Sequence, residues 1–205
     1  MALLFDRHIT KNQRLALWKV TEGLNSVPDD VQQTIVSVKS SKRHVELIGE
    51  YHLIRYLDIS GQVEYLPNGK PVLKTGEISI SHGKDLVGII LDPQHGGLDI
   101  QLPDPKLIRI ETKFCNQPEL DLIQGHKFHL ELATLIWSGK ESIFKVYGEN
   151  MPFADGMKID LSHLCEGEEF PSRGEFECLV NDGLRYRLMY ETVEGSFVVW
   201  AHGLV

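Results

Sequence analysis

The alternation of apolar and polar residues divides the chain into stretches of period two and stretches of period near 3.6, the signatures of strand and helix. Arg14–Leu15–Ala16–Leu17–Trp18–Lys19–Val20 reads as a strand, and Ser26 to Asp30 as the start of a helix, with Pro28 preset for its first turn. From Lys42 to Leu57, apolar Val45, Leu47, Ile48, Leu53, Ile54 and Leu57 predict a helix with one buried face. Gly, Asn and Pro punctuate Gly61 to Pro71, which predicts turns around a short strand, Val63–Leu66. Strands Glu77–Ile80 and Leu86–Leu91 flank Ser81–His82–Gly83, and Gly96–Gly97 leads into a third, Leu98–Leu102. Asp104–Pro105 is a helix start. Asn116 to Pro118 opens another helix, whose amphipathic pattern runs to Tyr147 with Gly125 and Gly139 as weak points. A meander closes the chain: Glu175–Val180, a turn at Asn181–Asp182–Gly183, Tyr186–Thr192, a turn at Glu194–Gly195, and Phe197–His202. This order predicts an α/β (or α+β) protein of two halves, residues 1–97 and 98–205.

Composition narrows the picture. At 205 residues the chain can bury a sizeable core without metal or disulfide staples. No apolar run approaches a membrane span, and Met1 to Phe5 is too short for a secretory core. Three cysteines, Cys115, Cys165 and Cys178, lack metal-ligand spacing, so a reduced, cytoplasmic setting is expected. The formal net charge of −8 argues against nucleic acid and requires that an acidic partner or ligand meet a local basic patch.

Several residues could carry chemistry. Asp99 and Gln101 share one face of a predicted strand, and a carboxylate there could hold a hard cation or simply face solvent. Trp137, Glu141 and Lys145 lie four apart on a predicted helix. That spacing suits a metal beside a phosphate, or an ordinary helical ion pair. His82 at a strand end and Lys70 in a rigid Gly-Lys-Pro turn could meet phosphate, as could Lys42 and Arg43. Lys106, Arg109 and Lys113 form a positive stripe suited to an acidic helical partner or to solubility alone. His126 and His129 are three apart, but no Cys or carboxylate pattern accompanies them as a zinc site would require.

Four motifs occur in one order: Gly69–Lys70–Pro71; Ile78–Ser79–Ile80–Ser81–His82; Gly97–Leu98–Asp99–Ile100; and Trp137–Ser138–x–Lys140–Glu141–Ser142–x–x–Lys145. Lys113–Phe114 followed by Pro118–Glu119–Leu120 belongs with them. In this order the chain resembles the 4′-phosphopantetheinyl transferase superfamily, specifically its larger, surfactin-synthetase type, from about Lys42 to Gly148. The resemblance implies a pseudo-dimer of two similar α/β subdomains with coenzyme A in the cleft between them. Mg²⁺ (or Mn²⁺) would be held by Asp99 and Glu141, with Gln101 acting directly or through water. Glu141, Lys145 and Asp99 would be catalytic. Lys42, Arg43, Lys70, Ser81, His82, Lys140 and Lys145 would hold coenzyme A, and Lys106, Arg109, Lys113 and Phe114 would dock the carrier protein. The implied enzyme is a holo-[acyl-carrier-protein] synthase, cytoplasmic and monomeric, serving fatty-acid, polyketide or nonribosomal peptide synthesis.

Two departures from the family pattern stand out. Gln101 replaces a frequent Glu, and Glu50 and Tyr51 occupy positions where a phosphate-binding arginine is expected. They leave a second reading: a relative that binds coenzyme A or a carrier without catalysis.

Overall fold

The computed structural model describes residues 2–74, 76–92, 96–147, 151–181 and 183–204. The chain divides into two compact units, Met1–Gln94 and His95–Val205. Strands and helices are mixed, as the sequence predicts, and every strand pairing described is antiparallel.

The first unit carries β1 (Leu3–His8), β2 (Arg14–Lys19), α1 (Asp29–Ser37), α2 (Ser41–Tyr56), β3 (Val63–Tyr65), β4 (Pro71–Leu73), β5 (Glu77–Gly83) and β6 (Leu86–Asp92). Its main sheet has the order β1-β2-β6-β5, and β3 and β4 form a separate ribbon. Pro28 occupies the N-cap position of α1, and the Ser40 hydroxyl caps α2 by accepting from the Arg43 amide. Helix α2 lies against β2 and β6. Gly49 sets which face of it is buried, because a Cβ there would come within 2.7 Å of a Val87 methyl. Leu53 and Leu57 therefore join Ala16, Trp18, Val87 and Ile89 in the core, whereas Val45, expected on the buried face, is exposed.

One predicted boundary moves here. Ser81, His82 and Gly83 belong to β5 rather than to a turn, since β6 is long enough to pair with all of them: Ser81 with Gly88, His82 with Val87, Gly83 with Leu86. The chain reverses instead at Lys84, whose φ is +52°.

The second unit begins with β7 (Leu98–Gln101) and continues through α3 (Lys106–Ile110), α4 (Gln117–Ile123), α5 (His129–Tyr147), α6 (Phe153–Gly156), β8 (Met157–Asp160), β9 (Arg173–Val180), β10 (Arg185–Val193) and β11 (Ser196–Leu204). The sheet order is β7-β11-β10-β9-β8. The Asp104 side chain accepts the Lys106 amide at the start of α3. The single helix expected from Asn116 to Tyr147 is two, because Gly125 adopts φ +76° after α4 and the chain restarts as α5 at His129. Gly139 is no weak point: a Cβ there would come within 2.8 Å of the Phe176 ring, so its missing side chain lets α5 approach the sheet. At the β10–β11 turn, Glu194 and Gly195 both have positive φ, the geometry whose twist suits a two-residue hairpin. Asp182, in the other predicted turn, lies outside the described residues.

Helix α5 packs along β7 and β11, and its apolar face, including Leu132, Leu135, Ile136 and Ile143, fills the core with Phe176, Leu188, Tyr190 and Val199. Gly97 makes the closest approach. A Cβ at this position would run into the Ser142 carbonyl oxygen and lie 2.8 Å from a Val146 methyl. Gly97→Ala should therefore lose about 2–3 kcal/mol through overpacking, read as a lower urea midpoint with an unchanged slope.

Candidate active site

Helix α5 is fixed against its neighbours by Lys140. This side chain is fully buried, and its ammonium donates to Glu119 Oε2 at 2.6 Å, the Phe114 carbonyl at 2.8 Å and the Phe153 carbonyl at 2.9 Å. Glu119 forms a reciprocal capping box with Asn116 at the start of α4, and its Oε1 accepts the Ile159 amide of β8 at 2.8 Å. One ion pair thus ties together α4, α5, β8 and the segments before α4 and in α6. Burial raises the Glu119 carboxyl above the usual range, and Lys140 draws it part of the way back. Burial also pushes the Cys115 and Cys178 thiols up to about 12. Lys140, expected at coenzyme A, has all three of its hydrogens directed at protein acceptors and is a structural residue.

Asp99 lies on β7 and is 8% exposed. Its Oδ2 accepts the Ser138 hydroxyl at 2.7 Å, and its Oδ1 lies 3.2 Å from the Lys145 ammonium. Lys145 also donates to the Leu98 carbonyl at 2.6 Å. Glu141 completes the group. Burial first, and then the charge of Asp99, raise its carboxyl above the usual range, while Lys145 partly offsets them. Asp99, Glu141 and Lys145 therefore stand near enough for their charges to act on one another. The stripe that meets Asp99 is Ser138, Glu141 and Lys145, spaced three and seven apart on one side of α5. Trp137, expected on that face, packs edge-on against Phe114 and tilted against Phe153.

The other expected residues of this unit separate by burial. Gln101 is half-buried at the end of β7, and its amide nitrogen donates to the Leu102 carbonyl at 2.8 Å. Lys106, Arg109 and Lys113 are exposed on and just after α3. Phe114 is 1% exposed, so it is a core residue and not part of a docking face. His129 meets Glu111 at 2.7 Å, and His126 Nδ1 accepts the Phe128 amide. Among the described residues no cluster of three or more His, Cys, Asp or Glu is placed to hold a metal.

In the first unit, His82 Nε2 lies 3.1 Å from Glu50 Oε2. Glu50 is 5% exposed, and it also accepts the Tyr65 hydroxyl and lies 3.8 Å from an Arg43 nitrogen. Arg43 donates to Glu46 at 3.0 Å, and Lys42 lies 3.7 Å from the same carboxylate. Lys70 stands 4.0 Å from Glu77, and Ser81 is buried in β5. Glu50 was legible only as an absent arginine. Its place on the α2 face beside Gly49 is what turns it inward toward His82.

Residues 97–181 match the family model of the 4′-phosphopantetheinyl transferase superfamily. This part of the chain is a domain of that superfamily. No curated protein matches the chain. The match covers Asp99, Gln101, Lys140, Glu141 and Lys145, and the chemistry that goes with the superfamily domain is phosphopantetheinyl transfer. No helix of the described residues is long and apolar enough to cross a membrane.

Two stability measurements separate the roles of neighbouring residues in the superfamily domain. Lys140→Met leaves Glu119 buried without its partner and should lose about 3–5 kcal/mol. Lys140→Met/Glu119→Gln should recover part of that loss in urea unfolding. Glu141 behaves oppositely. Its folded-state carboxyl lies above the ordinary 4.5, so as pH rises from there the folded state keeps a proton the unfolded state has released, and stability falls. Glu141→Gln, measured in EDTA, should be more stable than the unaltered protein at pH 8, with the gap shrinking as pH falls toward 4.5.

Proposed function

We propose that the protein transfers the 4′-phosphopantetheine group of coenzyme A to a serine of an apo acyl or peptidyl carrier protein, giving holo carrier and adenosine 3′,5′-bisphosphate. The observation that carries this reading is the approach of Asp99 and Glu141 beside Lys145, inside a domain of the transferase superfamily.

The donor set fits a hard divalent cation. Asp99 and Glu141 offer carboxylate oxygens, without thiol or imidazole, and such ions commonly take one or two carboxylates with water and phosphate. Asp99 and Glu141 would hold Mg²⁺ or Mn²⁺, with Gln101 contributing directly or through water, and the ion would act as a Lewis acid on the pyrophosphate. In the proposed reaction the carrier serine oxygen forms a bond to the β-phosphorus and the bridging P–O bond breaks. The electron pair and negative charge leave with adenosine 3′,5′-bisphosphate. Glu141 receives the serine proton. Lys145, held beside Asp99, stabilises charge growing on the leaving phosphate. In the first unit, Lys42, Arg43, Lys70, Ser81 and His82 are proposed phosphate contacts for coenzyme A, with Glu50 orienting the His82 ring. The exposed Lys106, Arg109 and Lys113 are the proposed face for an acidic carrier. This reading makes the protein a holo-[acyl-carrier-protein] synthase of the surfactin-synthetase type, working as a cytoplasmic monomer.

Gln101 favours a second reading, binding without transfer, because its side chain brings no charge to a metal. One assay separates the two. The protein is incubated with coenzyme A, Mg²⁺ and several apo carriers, and each carrier is weighed by mass spectrometry. A gain of one phosphopantetheine group is expected. Asp99→Ala and Glu141→Gln should each lower the rate by about 10²–10³-fold while the protein stays folded. Coenzyme A binding without any mass gain would leave only the second reading.

A further inference from the structure

Ser138 behaves unlike the other hydroxyl residues of α5. Thr134 and Ser142 give their hydroxyls to backbone carbonyls, Thr134 to Leu130 at 2.6 Å and Ser142 to Ser138 at 2.9 Å and to Val199 of β11 at 3.0 Å. The Ser138 hydroxyl instead donates to a side-chain carboxylate, Asp99 Oδ2, at 2.7 Å. Ser138 has no solvent exposure, so water does not replace this donor. The opposite oxygen, Oδ1, faces Lys145 at 3.2 Å. A carboxylate gripped at both oxygens has its plane fixed, and the gripping residues lie on the same stripe of α5 as Glu141.

We propose that Ser138 is a positioning residue for the metal site. It occupies Oδ2 of Asp99 and so presents Oδ1 on the side where Glu141 and Lys145 stand. This rests on the proposed metal role of Asp99 and Glu141. Ser138 itself touches neither metal nor substrate; it sets how Asp99 meets the ion, in the way that hydrogen-bond partners of metal ligands generally tune affinity.

The test is Mn²⁺ binding to protein saturated with coenzyme A, followed by water-proton relaxation and blanked against Mn²⁺ with coenzyme A alone. Ser138→Ala should bind Mn²⁺ about 10-fold more weakly, and Ser138→Thr, which keeps the hydroxyl, should bind nearly as the unaltered protein does. In the transfer assay Ser138→Ala should raise the apparent KM for Mg²⁺ more than it lowers kcat at saturating Mg²⁺. Should the Thr variant not fold, Ser138→Ala decides by itself: unchanged Mn²⁺ affinity in the folded Ala variant overturns the proposal. A merely structural serine would lower the melting temperature of Ser138→Ala and leave its Mn²⁺ affinity intact, which would overturn this proposal alone. If the unaltered protein retains no Mn²⁺, the proposed metal site falls, and the Ser138 role falls with it.

Discussion

The buried ion pair between Lys140 and Glu119 is the constraint on which the second unit depends. Removing an ammonium and a carboxylate from water is costly, and the cost is offset only when every donor and acceptor is matched. Here the match is made by four partners besides the pair itself: the Phe114 and Phe153 carbonyls and the Asn116 and Ile159 amides. They lie on three segments, the stretch before α4, α6 and β8, so α5 cannot rotate about its axis without breaking several bonds at once. That fixed rotation determines where the next residue, Glu141, points, and with it the stripe that meets Asp99.

The two ends of this arrangement pull in opposite directions. On one side of α5 an unlike pair is satisfied inside the protein. On the other side two like carboxylates stand close enough that the charge of Asp99 hinders ionisation of Glu141, and Lys145 partly compensates. A site built this way suits an added positive charge, and it costs stability without one. Gly97 contributes through shape alone, letting β7 approach α5 until Asp99 and Ser138 are in hydrogen-bond range.

Much of this was legible in the sequence, and what was not has definite causes. The closing meander, the α2 helix and the strand carrying Asp99 follow from local periodicity and turn residues, which the fold retains. Strands β4 and β8 escaped notice because they are short, and β1 because, at the edge of its sheet, it buries no regular alternation of residues. The break at Gly125 was visible as a weak point, but whether a glycine ends a helix depends on its φ, which the pattern does not carry. Gly139 illustrates the converse, a glycine kept helical by the rings packed over it. Asp99, Glu141 and Lys145 were legible as motif positions. The family motif put Lys140 with them, yet its surroundings turn it into the core. The capping pattern at Asn116 and Glu119 announces a helix start, while the long-range partners of Glu119 leave no trace in its neighbours. Phe114 misled for the same reason: burial is a property of the fold around it.

The same packing that silences Lys140 as a ligand also silences chemistry nearby. Cys115 and Cys178 sit beside the ion pair with thiols held almost wholly protonated, and only the thiolate attacks electrophiles. Cys165, half-buried at the end of a short turn, is the thiol nearest to reach. The three sulfurs therefore form an internal clock with two hands. Alkylation of Cys165 reads the native surface, whereas alkylation of the other two proceeds only as fast as the whole unit opens, so their labelling rate measures how long the core around α5 stays shut.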